Sequence, residues 1–178
     1  MPPRVLMCPP DHYGIEYEIN PWMNRSLGAV REIAFAQWRA LRDTLVSLGA
    51  AVEALAPRPG LPDLVFTANA GLVFGSRFLS SRFRHEVRAK ESPVFDAWFA
   101  AHGFTVEHLP DGMYHEGAGD ALFCGDTLFA GYRTRSAAAR AVTSCPIRSI
   151  PTLRPSRRRS TFWRSCTGSA ITGPSCRR

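Results

Sequence analysis

The sequence predicts an α/β fold assembled from repeated β-β-α-β units. Two observations carry that expectation. One is a pair of matched hairpins, in which Leu72, Gly75 and Phe78 map onto Leu122, Gly125 and Leu128 at a constant offset of 50 residues. The other is the alternation of short apolar strands with stretches of helical period between and around those hairpins. Self-similarity at such a period is a property of the whole fold, since each unit buries its apolar face only against a neighbour.

Taken in order, residues 5–8 form a short apolar strand. Leu27, Val30, Ala34, Trp38, Leu41, Leu45 and Leu48 then step by three or four, which predicts a helix with Ser26 as its cap, Gly49 as its stop and this stripe as its core face. A strand follows at 51–55. The first hairpin, 72–79, turns at Gly75-Ser76, where glycine in the first central position suits a type II′ turn. Ser92 and Pro93 predict a second helix, with Ser92 as N-cap, Val94, Phe95, Trp98 and Phe99 as its apolar face and Gly103 as its stop. Residues 104–109 make another strand. The second hairpin, 122–129, turns at Gly125-Asp126 and is followed by a weaker helical run at 136–142.

The charge divides the chain. Of 22 Lys+Arg, 14 lie in residues 1–142, beside all 15 Asp+Glu, so this body is close to neutral. The other eight, all Arg, lie in residues 143–178, where no acid occurs and 24 of 36 residues are Arg, Ser, Thr or Pro. We therefore expect a body, 1–142, and a tail, 143–178, in which no helical or strand period survives. With 21 Arg against one Lys, the chain suggests GC-rich coding DNA. The favoured expectation for the tail is such DNA read out of frame. A disordered basic tail and a genuine extension are the alternatives.

Composition excludes several function classes. The near-neutral body has no electrostatic footprint for nucleic acid. No apolar run reaches the ~18 residues of a membrane span, and the N-terminus lacks a signal peptide, so the expected location is the cytoplasm. Five cysteines without a CxxC pair suggest neither a disulfide framework nor a zinc site. No cofactor or metal is expected.

Three polar clusters sit at strand ends: Tyr17–Met23, Pro62–Gly71 and His115–Asp120. Each alone reads as turn chemistry. The second and third, however, precede the two matched hairpins at equivalent places, and repeats put equivalent loops on one face, often a binding face.

At these clusters the chain resembles a known family. Met7-Cys8-Pro9-Pro10, Glu18-Ile19-Asn20-Pro21-Trp22-Met23, Phe66-Thr67-Ala68-Asn69-Ala70-Gly71 and His115-Glu116-Gly117-Ala118-Gly119-Asp120 resemble the guanidine-modifying enzymes. These comprise arginine deiminase, dimethylarginine dimethylaminohydrolase, arginine dihydrolase and the amidinotransferases. The resemblance, from about Arg4 to about Ser136, implies a partial pentein, in which five ββαβ units form a pseudo-fivefold ring around a substrate site. It also implies a small-molecule guanidine partner, arginine or a methylated arginine. A guanidinium is a planar cation that carboxylates recognise through paired charge-assisted hydrogen bonds. In the family a cysteine thiolate attacks its central carbon, and a histidine protonates the leaving amine and then activates water.

The resemblance assigns Glu116 the catalytic carboxylate, which hydrogen-bonds the guanidinium and orients the histidine, and makes Asp120 the organiser of the same loop. Arg135, and Arg88 before the second helix, take the place of arginines that bind the substrate carboxylate. Asn69 departs from the aspartate of the deiminases and dimethylargininases. An amide offers both a donor and an acceptor where a carboxylate forms an ion pair, and Asn69 together with Asn20 looks like the arginine dihydrolase branch. None of His12, His85, His102, His108 and His115 matches the family's catalytic histidine, and Cys145, Cys166 and Cys176 have no family context. The expectation is therefore a guanidine hydrolase present as an inactive fragment. An amidinotransferase, or a non-catalytic pentein serving as a binding module, is the alternative.

Overall fold

The computed structural model describes residues 2–124 and 127–131. The expected turn at Gly125-Asp126, the expected helix at 136–142, Arg135 and the tail from 143 lie outside these residues.

One full unit stands in the middle of the chain. Strands β3 (Gly71–Phe74) and β4 (Arg77–Ser80) form an antiparallel hairpin in the register Leu72↔Leu79. The chain then runs through helices α2 (Glu86–Ala89) and α3 (Ser92–Ala101) into β5 (Thr105–Glu107), which lies parallel to β4. The sheet order is β3-β4-β5. Gly75 has φ +59°, the sign that primed hairpin turns need at their first central residue.

The flanking segments repeat parts of this unit. Upstream, β1 (Arg4–Met7), α1 (Arg31–Ser47) and β2 (Ala51–Ala54) form a parallel pair joined by a helix, matching β4-α3-β5. Downstream, β6 (Ala121–Cys124) and β7 (Thr127–Ala130) form a second antiparallel hairpin, in the register Leu122↔Phe129. The two hairpins are thus equivalent at the offset read from the sequence.

Three polar links join the units. Thr67 Oγ1 donates to the Leu6 carbonyl at 2.8 Å. An isolated antiparallel bridge pairs Arg82 with His115, and Asn69 reaches Glu116. Two apolar cores lie between the units. Cys8, Leu55, Leu64, Ala70, Phe78, Phe95 and Phe99 fill the first, where the Phe78 and Phe99 rings stack. Leu72, Leu79, Leu109, Ala121 and Leu128 fill the second.

Three expectations need correction. Helix α1 begins at Arg31, after Val30, with no side-chain cap. Ser26 instead donates its hydroxyl to Asn24 Oδ1 in the preceding loop, which competes with capping. Ser92 is the first residue of α3 and not its cap, because its hydroxyl donates to the Ser81 carbonyl across to the end of β4. The apolar stripe of α1 is not a core face among the described residues. Leu27, Val30, Leu41 and Leu48 are exposed, and no α1 residue is fully buried. Helical spacing specifies an apolar face but not what covers it. Both helix stops are as expected, with Gly49 and Gly103 left-handed immediately beyond the ends. Among the described residues no helix is long and apolar enough to cross a membrane.

Candidate functional site

The two loops that lead into the matched hairpins meet. The first carries 3₁₀ turns at Pro62–Val65 and Thr67–Asn69, and the second one at Gly117–Gly119. Gly117 makes the meeting possible. Its φ is +57°, and a Cβ there would lie 2.6 Å from the Ala68 carbonyl oxygen and 2.9 Å from the Gly71 nitrogen. Only glycine adopts that φ at little cost and leaves room for backbone against backbone.

Asn69 closes the gap. Its Nδ2 donates to the Glu116 carbonyl at 3.1 Å, and its Oδ1 accepts from Arg88 Nη1 at 3.4 Å. Glu116 is 3% exposed. Its backbone N–H donates to Asp120 Oδ2 at 3.0 Å, so Asp120 braces the loop that presents Glu116.

Arg88 lies inside this cluster and is 5% exposed. Its Nε and Nη2 donate to Glu91 Oε1 and Oε2 at 2.9 and 2.8 Å, a forked pair with a carboxylate that is fully buried. Nη2 also meets the Asp63 carbonyl at 3.5 Å, and the Asp63 carboxylate approaches Nε at 3.6 Å. The Phe83 ring centroid lies 4.4 Å from the guanidinium carbon and that of Phe66 6.0 Å, close enough for cation–π attraction.

The electrostatics follow from burial. Desolvation pushes the Asp63 and Glu91 carboxyls above their ordinary values, and Arg88 opposes the shift in both. Desolvation also works against the Arg88 charge, but Glu91, Asp63 and Glu116 outweigh it and hold its pKa above the usual arginine value. Among the described residues, the buried side chains of Glu91, Asp63 and Glu116 all act electrostatically on the buried Arg88. Tyr17 stands at the edge, where burial and the Asp63 carboxylate push its phenol up. Cys8 is buried in the first core, and desolvation pushes its thiol up to about 12, so it is neutral at physiological pH. Among the described residues no three His, Cys, Asp or Glu side chains cluster to hold a metal ion.

Of the residues singled out from the sequence, the structure brings Asn69, Glu116, Asp120 and Arg88 together. Asn20 is exposed, and its Oδ1 accepts the backbone N–H groups of Trp22 and Met23, a turn-forming use within its own loop. Arg135 lies outside the described residues. Sequence reasoning missed Glu91, and it had Asp63 only as part of a polar cluster. The legible signal was spacing, because Arg88 and Glu91 stand three apart, where helical side chains meet.

No family model matches the chain. It is 51% identical over 136 residues to the bifunctional arginine dihydrolase/ornithine cyclodeaminase ArgZ of Synechocystis, a match covering 75% of this chain and 19% of that protein. It is 35% identical over 160 residues to the dimethylarginine dimethylaminohydrolase of Mycobacterium tuberculosis, covering 85% of this chain and 51% of the relative. The chain thus spans about a fifth to about half of the curated relatives it matches. Among solved structures, the substrate-bound N-terminal domain of ArgZ superposes with a TM-score of 0.71 at 49% identity, over 76% of this chain and 51% of that one. A dimethylarginine dimethylaminohydrolase adduct at 22% identity superposes with a TM-score of 0.62 and shares the fold. The architecture is a partial pentein.

Proposed function

We propose, from the premise that about three quarters of this chain is homologous to the guanidine-modifying enzymes, that its described residues form the substrate-recognition part of an arginine-type guanidine hydrolase. The observation that carries this reading is the junction of the two repeat-equivalent loops. There Asn69 links Glu116 to Arg88, and the loops carrying them lead into the two matched hairpins. A carboxylate such as Glu116 recognises a guanidinium through its several directed N–H groups.

In this reading Glu116 binds the guanidinium and Asp120 holds its loop. Asn69 offers amide hydrogen bonds where a carboxylate would prefer the cation, which favours arginine as substrate and two successive hydrolyses. Arg88, with Arg135 beyond the described residues, meets the substrate carboxylate. Asn20, its Oδ1 held within its own loop, joins through its Nδ2. The chemistry of the family requires a thiolate to add to the guanidinium carbon, ammonia or an amine to leave with a proton from a histidine, and water to release the enzyme. Cys8, neutral and buried, does not supply that thiolate.

Isothermal titration of the purified 178-residue chain tests the proposal. L-arginine should bind saturably and in preference to asymmetric dimethylarginine, and E116Q should weaken binding by about tenfold, the value of a charge-assisted hydrogen bond. The chain should release neither ornithine nor citrulline. Absence of saturable guanidine binding, or steady turnover, would overturn the reading.

A further inference from the structure

The proposed site needs Arg88 to present a specific edge, and the structure shows what sets that edge. A guanidinium has five N–H donors. On Arg88, Nε donates to Glu91 Oε1, and Nη2 serves both Glu91 Oε2 and the Asp63 carbonyl. One Nη1 proton goes to Asn69 Oδ1. The second Nη1 proton is the donor that these contacts leave over, and it sits on the atom nearest Asn69.

Glu91 is itself rigidly placed. It occupies the junction between α2 and α3, where its N–H donates to the Arg88 carbonyl and its own carbonyl accepts from Val94 and Phe95. Its side chain is fully buried, so neither partner of the pair is free to wander. The Phe83 ring lies against the guanidinium and limits its rotation.

We propose that Glu91 is a positioning residue, which grips the Nε/Nη2 edge of Arg88 so that Nη1 alone is turned toward Asn69 and offers a single N–H to the carboxylate of an arginine-like ligand. This rests on the guanidine-site reading above. Glu91 does not touch the ligand, and its effect passes through Arg88.

The test compares L-arginine with agmatine, the same guanidinium without the carboxylate, on the full chain and on E91Q and R88K. E91Q should lower arginine affinity by about tenfold, as R88K does, and keep agmatine affinity within about twofold. Equal weakening of both ligands would mean a purely structural role, and no change in either would mean no role; each overturns the proposal. A wild-type chain that binds neither ligand overturns the guanidine reading instead, and a second measurement then judges Glu91. The Arg88 Nε–H signal in a ¹⁵N–¹H spectrum, identified by its loss in R88K, should exchange slowly with solvent in the wild type and faster in E91Q. If the wild type shows no slowly exchanging Arg88 Nε–H, the grip does not exist, even where E91Q fails to fold.

Discussion

Asn69 turns its donor side to the Glu116 loop and its acceptor side to Arg88 in α2, and an aspartate could do only half of this. A carboxylate in its place would still accept from Arg88 but would set an oxygen against the Glu116 carbonyl that Nδ2 now faces. It would also add a further negative charge to those of Asp63, Glu91 and Glu116. N69D should therefore cost about 1–3 kcal/mol at pH 7, the penalty for a buried polar group left without its partner. Part of that cost should be recovered at about pH 4, the ordinary carboxyl range, where the introduced carboxyl takes up a proton and can donate again. Urea denaturation at the two pH values checks this, and equal costs at both would refute it. Cys8 gives a second residue-scale test. Its folded pKa is raised from 9.0 to about 12. The unfolded chain therefore loses the thiol proton first, and stability falls as pH rises from about 9 toward 12. C8A should flatten that decline. At about pH 8.5, near the ordinary thiol pKa, iodoacetamide should leave the Cys8 peptide unmodified in the native chain and modify it in denaturant.

At the scale of elements, the loops that enter the hairpins are the stiff parts and the exposed face of α1 is the permissive one. Gly117 combines φ +57° with backbone atoms closer than any Cβ tolerates, whereas Gly75 has φ +59° and open space around it. G75A should therefore cost only the left-handed penalty of about 1–2 kcal/mol, and G117A should cost more, because the two loops must also move apart. Ranking the two by urea midpoint tests the loop contact directly. A G117A variant as stable as G75A would refute it. The apolar positions of the two helices differ likewise. Phe95 is fully buried and Leu41 is 55% exposed. F95A should cost about 3–5 kcal/mol and L41K no more than about 0.5 kcal/mol, although both follow the same helical spacing. The spacing was legible in the sequence, but the unequal burial was not.

For the molecule as a whole, the internal repeat shows what the described residues leave uncovered. In the full unit β4 lies between β3 and β5. Strand β1 corresponds to β4 and β2 to β5, so the edge of β1 that a β3-like strand would occupy has no described partner. The apolar side of α1 is exposed at the same end of the chain. Open strand edges and apolar faces favour self-association. We expect the purified chain to associate at concentrations on the order of 10 µM, and L27E combined with L41K to reduce this. Light scattering after size exclusion would check it, and a monodisperse monomer at that concentration would contradict it.

The sequence by itself determined the hairpins, their offset of 50, the glycine that turns the first of them and those that stop the helices, because side-chain period and φ preference are local properties. Its repeat also pointed to the two loops, since equivalent loops of a repeat fall on one face, and its family resemblance to Asn69, Glu116 and Asp120 within them. Tertiary structure alone decided the rest. The spacing of Arg88 and Glu91 permits their pairing, but a carboxylate looks the same in sequence whether solvated or buried, and only tertiary packing buried the two together. In the same way Asn20 has the chemistry of a ligand group, but the fold of its own loop claimed its oxygen for Trp22 and Met23. Burial depends on residues distant in the chain, and no local pattern encodes which of them will arrive.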